Sequence, residues 1–163
     1  MIVAFGTDHG GFPIREAVLR AIRDTGHEPL DFGVQHPDPV DYPDIAEKVV
    51  DAVLGGRAER AILLCGSGVG MCVVANKFPG IRACVCHDPY SAGQGVRHDD
   101  MNVLCLGGRV IGAALAEELV RVFLAASFDR FERHRRRLEK IETIERRLLG
   151  LDGRQSESPE AVA

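Results

Sequence analysis

The sequence lacks both an excess of basic residues and a long apolar run, and each absence argues against a class of function. Asp and Glu number 24 against 20 Lys and Arg in 163 residues, which gives a formal net charge of -4. Nucleic-acid-binding surfaces are rich in positive charge, so this balance argues against DNA or RNA partners. No apolar run approaches the roughly 20 residues that cross a bilayer, which argues against a membrane partner.

Signals for export and for metal binding are missing as well. The start of the chain, Met1 to Phe5, is too short and lacks the basic residues of a signal peptide, so we expect a cytoplasmic protein with reduced thiols. The five cysteines include no pair with the two-residue separation of a zinc knuckle or a redox motif. Cys84, Cys86 and His87 lie close together, but a buried strand explains the two cysteines more simply, and we predict no metal site.

What the sequence does contain is a regular alternation of strand and helix signals. Strands are predicted at 2–5, 28–32, 61–64, 83–86 and 103–106. Helices are predicted at 13–24 and 44–54, from the glycine-rich turn to about 77, and at 89–97 and 111–126. This alternation predicts an α/β fold: one domain over residues 1–150, built as a Rossmann-like sandwich with a five-stranded parallel sheet between helical layers.

An extra C-terminal helix is predicted at 131–149, outside the layers that cover the sheet. Its apolar residues form a narrow stripe: Phe131, Leu138, Ile141, Ile144 and Leu148. A stripe on such a helix is typical of a contact between subunits, so we expect a homodimer. Residues 151–163 are small and polar, and we expect them to form a disordered tail.

The most informative segment is AILLCGSGVG at 61–70, in which a thiol follows a buried strand. Open parallel sheets bind their ligands where strands end, and the glycines leave backbone N–H groups accessible to an anion. The same N–H groups and the following helix favour negative charge, so Cys65 is interpreted as an ionisable base or nucleophile. The alternative is a small buried core residue, and position alone leaves both interpretations open.

Polar residues follow other strands of the predicted sheet. Asp8 and His9 follow the first strand. They are interpreted either as acid–base groups or, alternatively, as a helix cap formed by Asp8 and a solvated ring of His9. His98 ends the fourth helix, where a histidine either reacts or interacts with the helix dipole. Arg109, which follows the fifth strand, either reaches an anion or lies on the surface.

The densest basic cluster lies in the C-terminal helix. Arg133 and Arg137 are one turn apart and share a face, so they are placed to bind one phosphate together. The alternative is a solvated helix face whose charge is balanced by Glu132 and Glu139.

Dinucleotide binding is a competing function, because Asp88 lies about twenty residues past the glycines, where a ribose-binding acid is expected. However, the glycines at 66, 68 and 70 do not match the Gly-x-Gly-x-x-Gly pattern.

In their order along the chain, the motifs resemble those of the ribose-5-phosphate isomerase type B family, which includes the subunits of galactose-6-phosphate isomerase. The resemblance covers residues 2–149, and the order of the motifs makes it specific. The motifs are AFGTDHGG at 4–11, DYP at 41–43, CGSGVG at 65–70, ANK at 75–77, GIRA at 80–83, PYSA at 89–92, NVL at 102–104, GRV at 108–110, and RH at 133–134 with Arg137.

The resemblance implies interconversion of an aldose phosphate and a ketose phosphate without a metal or an organic cofactor. Cys65 would be the base that moves a hydrogen between carbons 1 and 2 through a cis-enediolate, and Ser67 would relay protons between the oxygens. The amides that hold the enediolate would come from Gly66, Gly68, Val69 and Gly70.

The resemblance also assigns the remaining site residues. His98, assisted by Asp8, would open the furanose ring. Tyr42, in the loop at 33–43, and Asp99 would contact the sugar and set the length that is accepted. Phosphate would be held by His9, Arg109, Arg133 and Arg137. The site would be shared between the subunits of a homodimer, or of a dimer of dimers.

Two positions depart from the family pattern. The family commonly has asparagine after the ring-opening histidine, whereas this chain has Asp99, and we expect this anion to act on the protonation of His98 or on the sugar accepted. Some members use a glutamate just after the glycine loop as the base; that position is Met71 here.

Ribose 5-phosphate is the expected substrate. The alternatives are a hexose or tetrose phosphate, and a non-catalytic module that binds a nucleotide or a sugar phosphate.

Overall fold

The computed structural model describes residues 1–151, and it confirms the predicted α/β sandwich. The strands are β1 (Ile2–Thr7), β2 (Glu28–Asp31), β3 (Arg60–Cys65), β4 (Ala83–Val85) and β5 (Val103–Gly107). The helices are α1 (Arg15–Asp24), α2 (Tyr42–Leu54), α3 (Val69–Ala75), α4 (Pro89–Asp99), α5 (Ala113–Ala125) and α6 (Glu132–Leu148). Apart from Leu151, the expected tail lies outside the described residues.

The five strands form a parallel sheet in the order β2-β1-β3-β5-β4. The chain moves outward from β1 to β2 and then returns to place β3 on the other side of β1. Loops that leave β1 and β3 therefore diverge, and a crevice opens at the carboxyl ends of these two strands. Open α/β sheets bind ligands at such a point.

The alternation of side chains along β3 assigns its residues to two cores. Ile62 and Leu64 pack in the core under α1, α4 and α5, whereas Leu63 and Cys65 pack in the core under α2 and α3. Because both faces are covered by helices, the strand is apolar throughout, as a central parallel strand requires. Cys65 is the last residue of this strand, so its sulfur lies at the edge of the α2–α3 core.

Two local predictions need correction. The first predicted helix begins with a 3-10 turn over Phe12–Ile14, which contains Pro13, and becomes α-helical at Arg15. Cys84 is exposed, so its prediction as a core residue is wrong. The reason is that β4 is a three-residue edge strand paired only with β5, whereas Cys86, just beyond its end, is buried.

Helix α6 packs against α4, outside the layers that cover the sheet. Its Glu145 carboxylate accepts a hydrogen bond from the Gly80 N–H at 3.2 Å. The stripe residues Ile141, Ile144 and Leu148 stay exposed. The part of the chain that the structure describes holds no helix that is both long enough and apolar enough to cross a bilayer.

Arg60 fixes the end of α5 to the start of β3. Its guanidinium donates to the carbonyl oxygens of Phe123 at 2.6 Å and of Ala126 at 2.8 Å, and it lies 5.3 Å from the Phe123 ring centroid. Burial lowers the pKa of Arg60, while the charges of Asp100 and Glu59 oppose that shift. This contact sets the point at which the chain leaves α5 for α6.

We predict that Arg60→Met lowers the free energy of unfolding by about 2 to 4 kcal/mol, because two charge-assisted hydrogen bonds to half-buried carbonyl groups are lost. Urea unfolding measures the change. The control is Arg121→Met, which removes an exposed arginine paired with Glu117 and is expected to cost less than about 0.5 kcal/mol. Equal losses in the two variants would show that the buried contact has no special role.

Candidate active site

A cavity of about 410 Å³ opens at the carboxyl edge of the sheet, at the crevice between β1 and β3. Its walls come from the loops that follow β1, β3 and β5 and from the first turn of α2. The lining residues are Asp8, Tyr42, Cys65, Gly66, Ser67, Gly70, Arg109 and Val110. Seven of these eight were predicted from the sequence as site residues.

Backbone hydrogen bonds tie the three loops together. The Asp8 N–H donates to the Leu64 carbonyl at 3.2 Å, which continues the β1–β3 pairing past the end of β1. The N–H of Gly108 donates to the carbonyl of Cys65 at 2.9 Å, and that of Arg109 to the carbonyl of Gly66 at 3.0 Å. The cavity therefore has a floor of paired backbone, and its side chains project from fixed positions.

Cys65 lies at the junction of core and cavity. It is 5 % exposed and belongs to the α2–α3 core, yet it also lines the open cavity. The Gly68 N–H donates to Sγ at 3.1 Å. The Val69 N–H donates to the Ser67 hydroxyl oxygen at 3.3 Å. Sulfur and hydroxyl are thus held side by side by backbone donors of one turn, so negative charge that develops at either atom meets an N–H group.

Glycine is required in this turn for two separate reasons. Gly68 has a φ of 81°, and a Cβ on it would lie 3.1 Å from the backbone of Leu106. A Cβ on Gly70 would lie 2.8 Å from the Tyr42 ring. One glycine therefore permits the left-handed turn beside β5, and the other lets an aromatic ring close one side of the cavity.

Asp8 both caps a turn and lines the cavity, so the two interpretations of this residue are compatible. Its Oδ1 accepts hydrogen bonds from the N–H groups of Gly10 at 2.7 Å and Gly11 at 3.0 Å. His9 lies in the adjacent cavity formed by the loop before α2, where its Nδ1 accepts from the Val40 N–H at 3.3 Å.

The other predicted site residues of this chain lie elsewhere. Helix α4 starts at the carboxyl edge and runs back along the sheet, so His98 lies about 13 Å along the helix axis from its first residue. Just beyond α4, the carbonyl of Asn102 accepts from the Ala61 N–H, at the amino end of β3. Within one chain, His98 and Cys65 are therefore at opposite edges of the sheet.

Asp99, Arg133 and Arg137 lie on this second side, with His98. Asp99 lines a cavity of about 500 Å³ between β4, α4 and α6. Arg133 borders a shallow cavity beside Phe131, and Arg137 is exposed one turn further along α6. The predicted residues thus form two separate groups in one chain, which we call the thiol group (Asp8, His9, Tyr42, 65–70 and Arg109) and the histidine group (His98, Asp99, Arg133 and Arg137).

The structure adds three residues around His98 to which the sequence analysis gave no role, although one of them, His134, belongs to the motif at 133–134. Gln94 lies 2.9 Å from Nδ1 of His98, and the buried ring of His134 stacks on His98 with centroids 4.1 Å apart. Asp129 contacts His134 at 2.7 Å. The signal for His134 is its position four residues before Leu138, on the inward face of α6. Asp129 is in an irregular connection, where no periodicity could reveal it.

The atoms of His98, Asp129 and His134 that could ligate a metal lie within 4.8 Å of one another. The Nε of Arg133 donates to Nε2 of His134 at 3.0 Å, so a guanidinium cation already contacts this cluster. A second cation would be repelled there, and the contacts favour a hydrogen-bonded cluster over a metal centre. The absence of a metal in function remains a prediction.

Cys72, in α3, is a second thiol of chemical interest. Its pKa is lowered to about 7, because a hydrogen bond with Cys105 outweighs the opposing effect of burial, and contacts with Val85 and Asn76 add to it. It is not among the residues that line the Cys65 cavity. The lowered pKa by itself would favour Cys72 as a base, whereas the position in the cavity favours Cys65.

Asp88, which supported the dinucleotide alternative, is a helix cap. Its Oδ1 accepts from the Ser91 N–H at 2.7 Å at the start of α4. Hydrogen bonds from Ser91 lower the pKa of this carboxyl, with a smaller contribution from Tyr90. A carboxylate engaged in capping is poorly placed to bind a ribose, so this observation weakens the alternative.

Comparison with known proteins agrees with this geometry. Residues 3–141 match the family model described as Ribose/Galactose Isomerase. The chain belongs to this family. It is 43 % identical over 145 residues to ribose-5-phosphate isomerase B of Escherichia coli, which covers 89 % of this chain and 97 % of the relative. It is 38 % identical over 129 residues to D-erythrulose-4-phosphate isomerase of Pectobacterium atrosepticum, which covers 78 % and 84 % of the two chains.

The same family emerges from solved structures. The type B ribose 5-phosphate isomerase of Trypanosoma brucei superposes with a TM-score of 0.84 at 46 % identity, covering 88 % of this chain and 97 % of that one. These relatives show that the chain is an isomerase of sugar phosphates, and the non-catalytic alternative is therefore set aside.

We predict that Gly68→Ala lowers the free energy of unfolding by about 2 to 4 kcal/mol and abolishes isomerisation, because positive φ and the Leu106 backbone both oppose a Cβ. Gly80→Ala is the matched control: Gly80 has the same φ of 81°, but a Cβ on it would meet only the Leu54 side chain at 3.7 Å, an ordinary contact, so the cost is the conformational one of about 1 kcal/mol. Thermal unfolding and an isomerase assay measure both effects. Equal stability losses would contradict the close approach to β5.

Proposed function

We propose that this chain interconverts ribose 5-phosphate and ribulose 5-phosphate through a cis-enediolate, with Cys65 as the base and no metal or organic cofactor. The observation that carries the proposal is the thiol group itself. Cys65 lines an open cavity, its sulfur accepts a hydrogen bond from a backbone N–H, and the same turn carries the Ser67 hydroxyl.

The reaction moves one hydrogen between neighbouring carbons. Cys65 takes the proton from carbon 2 of the open-chain aldose, and the electron pair of that C–H bond forms the enediolate as carbonyl O1 becomes negative. Ser67 and the loop N–H groups hold that oxygen and relay protons between O1 and O2. Cys65 then returns its proton to carbon 1, which completes the ketose.

Phosphate recognition is assigned to residues of both groups. Arg109 projects into the Cys65 cavity, and His9 lies in the cavity next to it. Arg133 and Arg137, on one face of α6, supply two further guanidinium groups, which bind phosphate oxygens in a planar, directional way. Together they place positive charge at the end of the sugar away from the carbons that react.

A homodimer brings the two groups together. Because His98 and Cys65 lie at opposite edges of the sheet in one chain, a complete site needs the thiol group of one subunit and the histidine group of another. The surfaces beside both groups suit such a contact: Val69 and Val73 are exposed next to the cysteine loop, and Ile141 lines the cavity beside Asp99. A two-fold axis then forms two identical sites.

A pentose phosphate fits the proposed role of His98 better than a tetrose phosphate does. Ribose 5-phosphate closes a furanose ring through O4 and must be opened before carbon 2 can react. A tetrose 4-phosphate carries its phosphate on O4 and cannot form that ring. Isomerisation of D-erythrulose 4-phosphate is the second candidate, because a relative at 38 % identity has that activity in its name. Comparison of kcat/KM for the two substrates separates the candidates.

A cytoplasmic location is part of the proposal. All five cysteines are free, including the exposed Cys84. Free thiols persist where glutathione and thioredoxin keep cysteine reduced. The proposed base also requires a reduced Cys65.

We predict that Cys65→Ala lowers turnover of ribose 5-phosphate by more than about 1000-fold, because the proton between carbons 1 and 2 loses its acceptor. Unfolding should stay cooperative, since the substitution removes one atom at the edge of the core. Cys72→Ala is the control: it removes the thiol with the lowered pKa but leaves the cavity intact, and should retain most activity. The reverse result would assign the base to Cys72.

A complementation experiment tests the shared site. Cys65→Ala and His98→Asn chains are inactive or impaired by themselves, but when co-expressed they are expected to recover about a quarter of wild-type activity. Half of the randomly formed dimers contain both chains, and each such dimer has one intact site of two. Activity is measured on the purified mixture and on each variant alone. No recovery in a confirmed mixed dimer would show that the site lies within one chain.

A further inference from the structure

His134 is the only buried histidine in residues 1–151, and it is 1 % exposed. Both ring nitrogens have partners: Nδ1 lies 2.7 Å from Oδ1 of Asp129, and Nε2 lies 3.0 Å from Nε of Arg133. A guanidinium N–H can only donate, so Nε2 is an acceptor. The proton of His134 is therefore on Nδ1, where it is donated to Asp129. These contacts hold the ring in one orientation.

Asp129 is held by the backbone around it. Its N–H donates to the Arg97 carbonyl at 3.1 Å, and its Oδ1 also accepts from the Phe131 N–H at 3.1 Å. Arg130, between them, has a φ of 55°, so the chain turns sharply around the carboxylate. Desolvation opposes ionisation of Asp129, but hydrogen bonds from His134 and Phe131, with smaller electrostatic contributions from His134 and His98, lower its pKa overall. Asp129 is thus a fixed anion.

The second oxygen of Asp129 faces His98. Oδ2 lies 4.0 Å from Nε2 of His98, which is longer than a hydrogen bond, so the Nε2 proton is left for a substrate oxygen. Nδ1 of His98 lies 2.9 Å from the Gln94 amide, and the face of the ring stacks on His134. One carboxylate therefore holds His134 directly and sits beside the nitrogen of His98 that reacts.

We propose that Asp129, together with His134, is a positioning residue that orients His98 and stabilises the positive charge on its ring during ring opening. The inference rests on the proposed function. In the step, the bond between C1 and O4 breaks and its electron pair goes to O4, which takes the proton from Nε2. The anomeric O1–H loses its proton to the imidazole as its electron pair forms the C1=O1 bond. No proton is gained or lost overall.

The charges around His98 act on the positive charge that its ring carries during ring opening. Asp129 in the connection stabilises this charge, as does Asp99 on α4, whereas Arg97 on α4 and Arg133 on α6 oppose it. Asp129→Asn removes the anion that lies 4.0 Å from Nε2 of His98 and keeps the shape of the side chain, so ring opening should slow.

The test compares two reactions of the same dimeric protein. Net conversion of ribose 5-phosphate needs ring opening, whereas uptake of deuterium from solvent at carbon 1 of ribulose 5-phosphate needs only the enediolate. For Asp129→Asn we expect kcat for ribose 5-phosphate to fall about tenfold and deuterium uptake to stay within about twofold of wild type. Asp129→Glu should recover part of the loss. Glu139→Gln, which removes an exposed carboxylate of α6, should change neither rate.

Coupling to His98 is tested in a double variant. If Asp129 acts through His98, Asp129→Asn causes little further loss in a His98→Asn background. Equal losses in conversion and in deuterium uptake, or an unchanged tenfold effect without His98, would overturn the inference, as would full activity of Asp129→Asn. A wild-type chain that shows neither conversion nor uptake would instead contradict the proposed function.

Discussion

The site depends on the direction in which a parallel sheet makes its chain run. Every strand ends at the same edge, so the loops after β1, β3 and β5 meet and place Asp8, Cys65 and Arg109 around one cavity. Every crossover helix must then return to the opposite edge. Helix α4 therefore carries His98 away from Cys65. The reaction proposed above uses both residues, and it would therefore need a second subunit to bring a histidine to the thiol.

Close backbone packing gives the thiol its surroundings. The turn after Cys65 passes β5 so tightly that Gly68 has no room for a side chain, and Gly107 is equally close to Ser67. This proximity lets the Gly68 N–H point at sulfur and the Gly108 N–H reach the carbonyl of Cys65. The chemistry of the thiol group is thus a property of backbone geometry, and the side chains add a sulfur, a hydroxyl and a charge to it.

The order of the elements and the thiol group were largely predictable. Apolar strands, helix periodicity and the glycine-rich turn are local signals, and Asp8, Cys65 and Arg109 follow from positions next to strand ends. Tyr42 and Ser67 were assigned by the resemblance of their motifs. The exposure of Cys84 was not predictable, because a short apolar strand at a sheet edge resembles one at its centre. The contact between Asp129 and His134 could not be predicted either, because it depends on how an irregular connection folds against α4.

The sequence by itself determined the fold class, the family and the order of the strands and helices, because all three depend on local pattern and on the order of motifs. Only the tertiary structure decided that these residues divide into two groups, that Asp88 caps a helix, and that a buried histidine stacks on His98. Such facts depend on which strands are neighbours and on how far a helix carries the chain back. Those distances emerge only when segments far apart in sequence pack together.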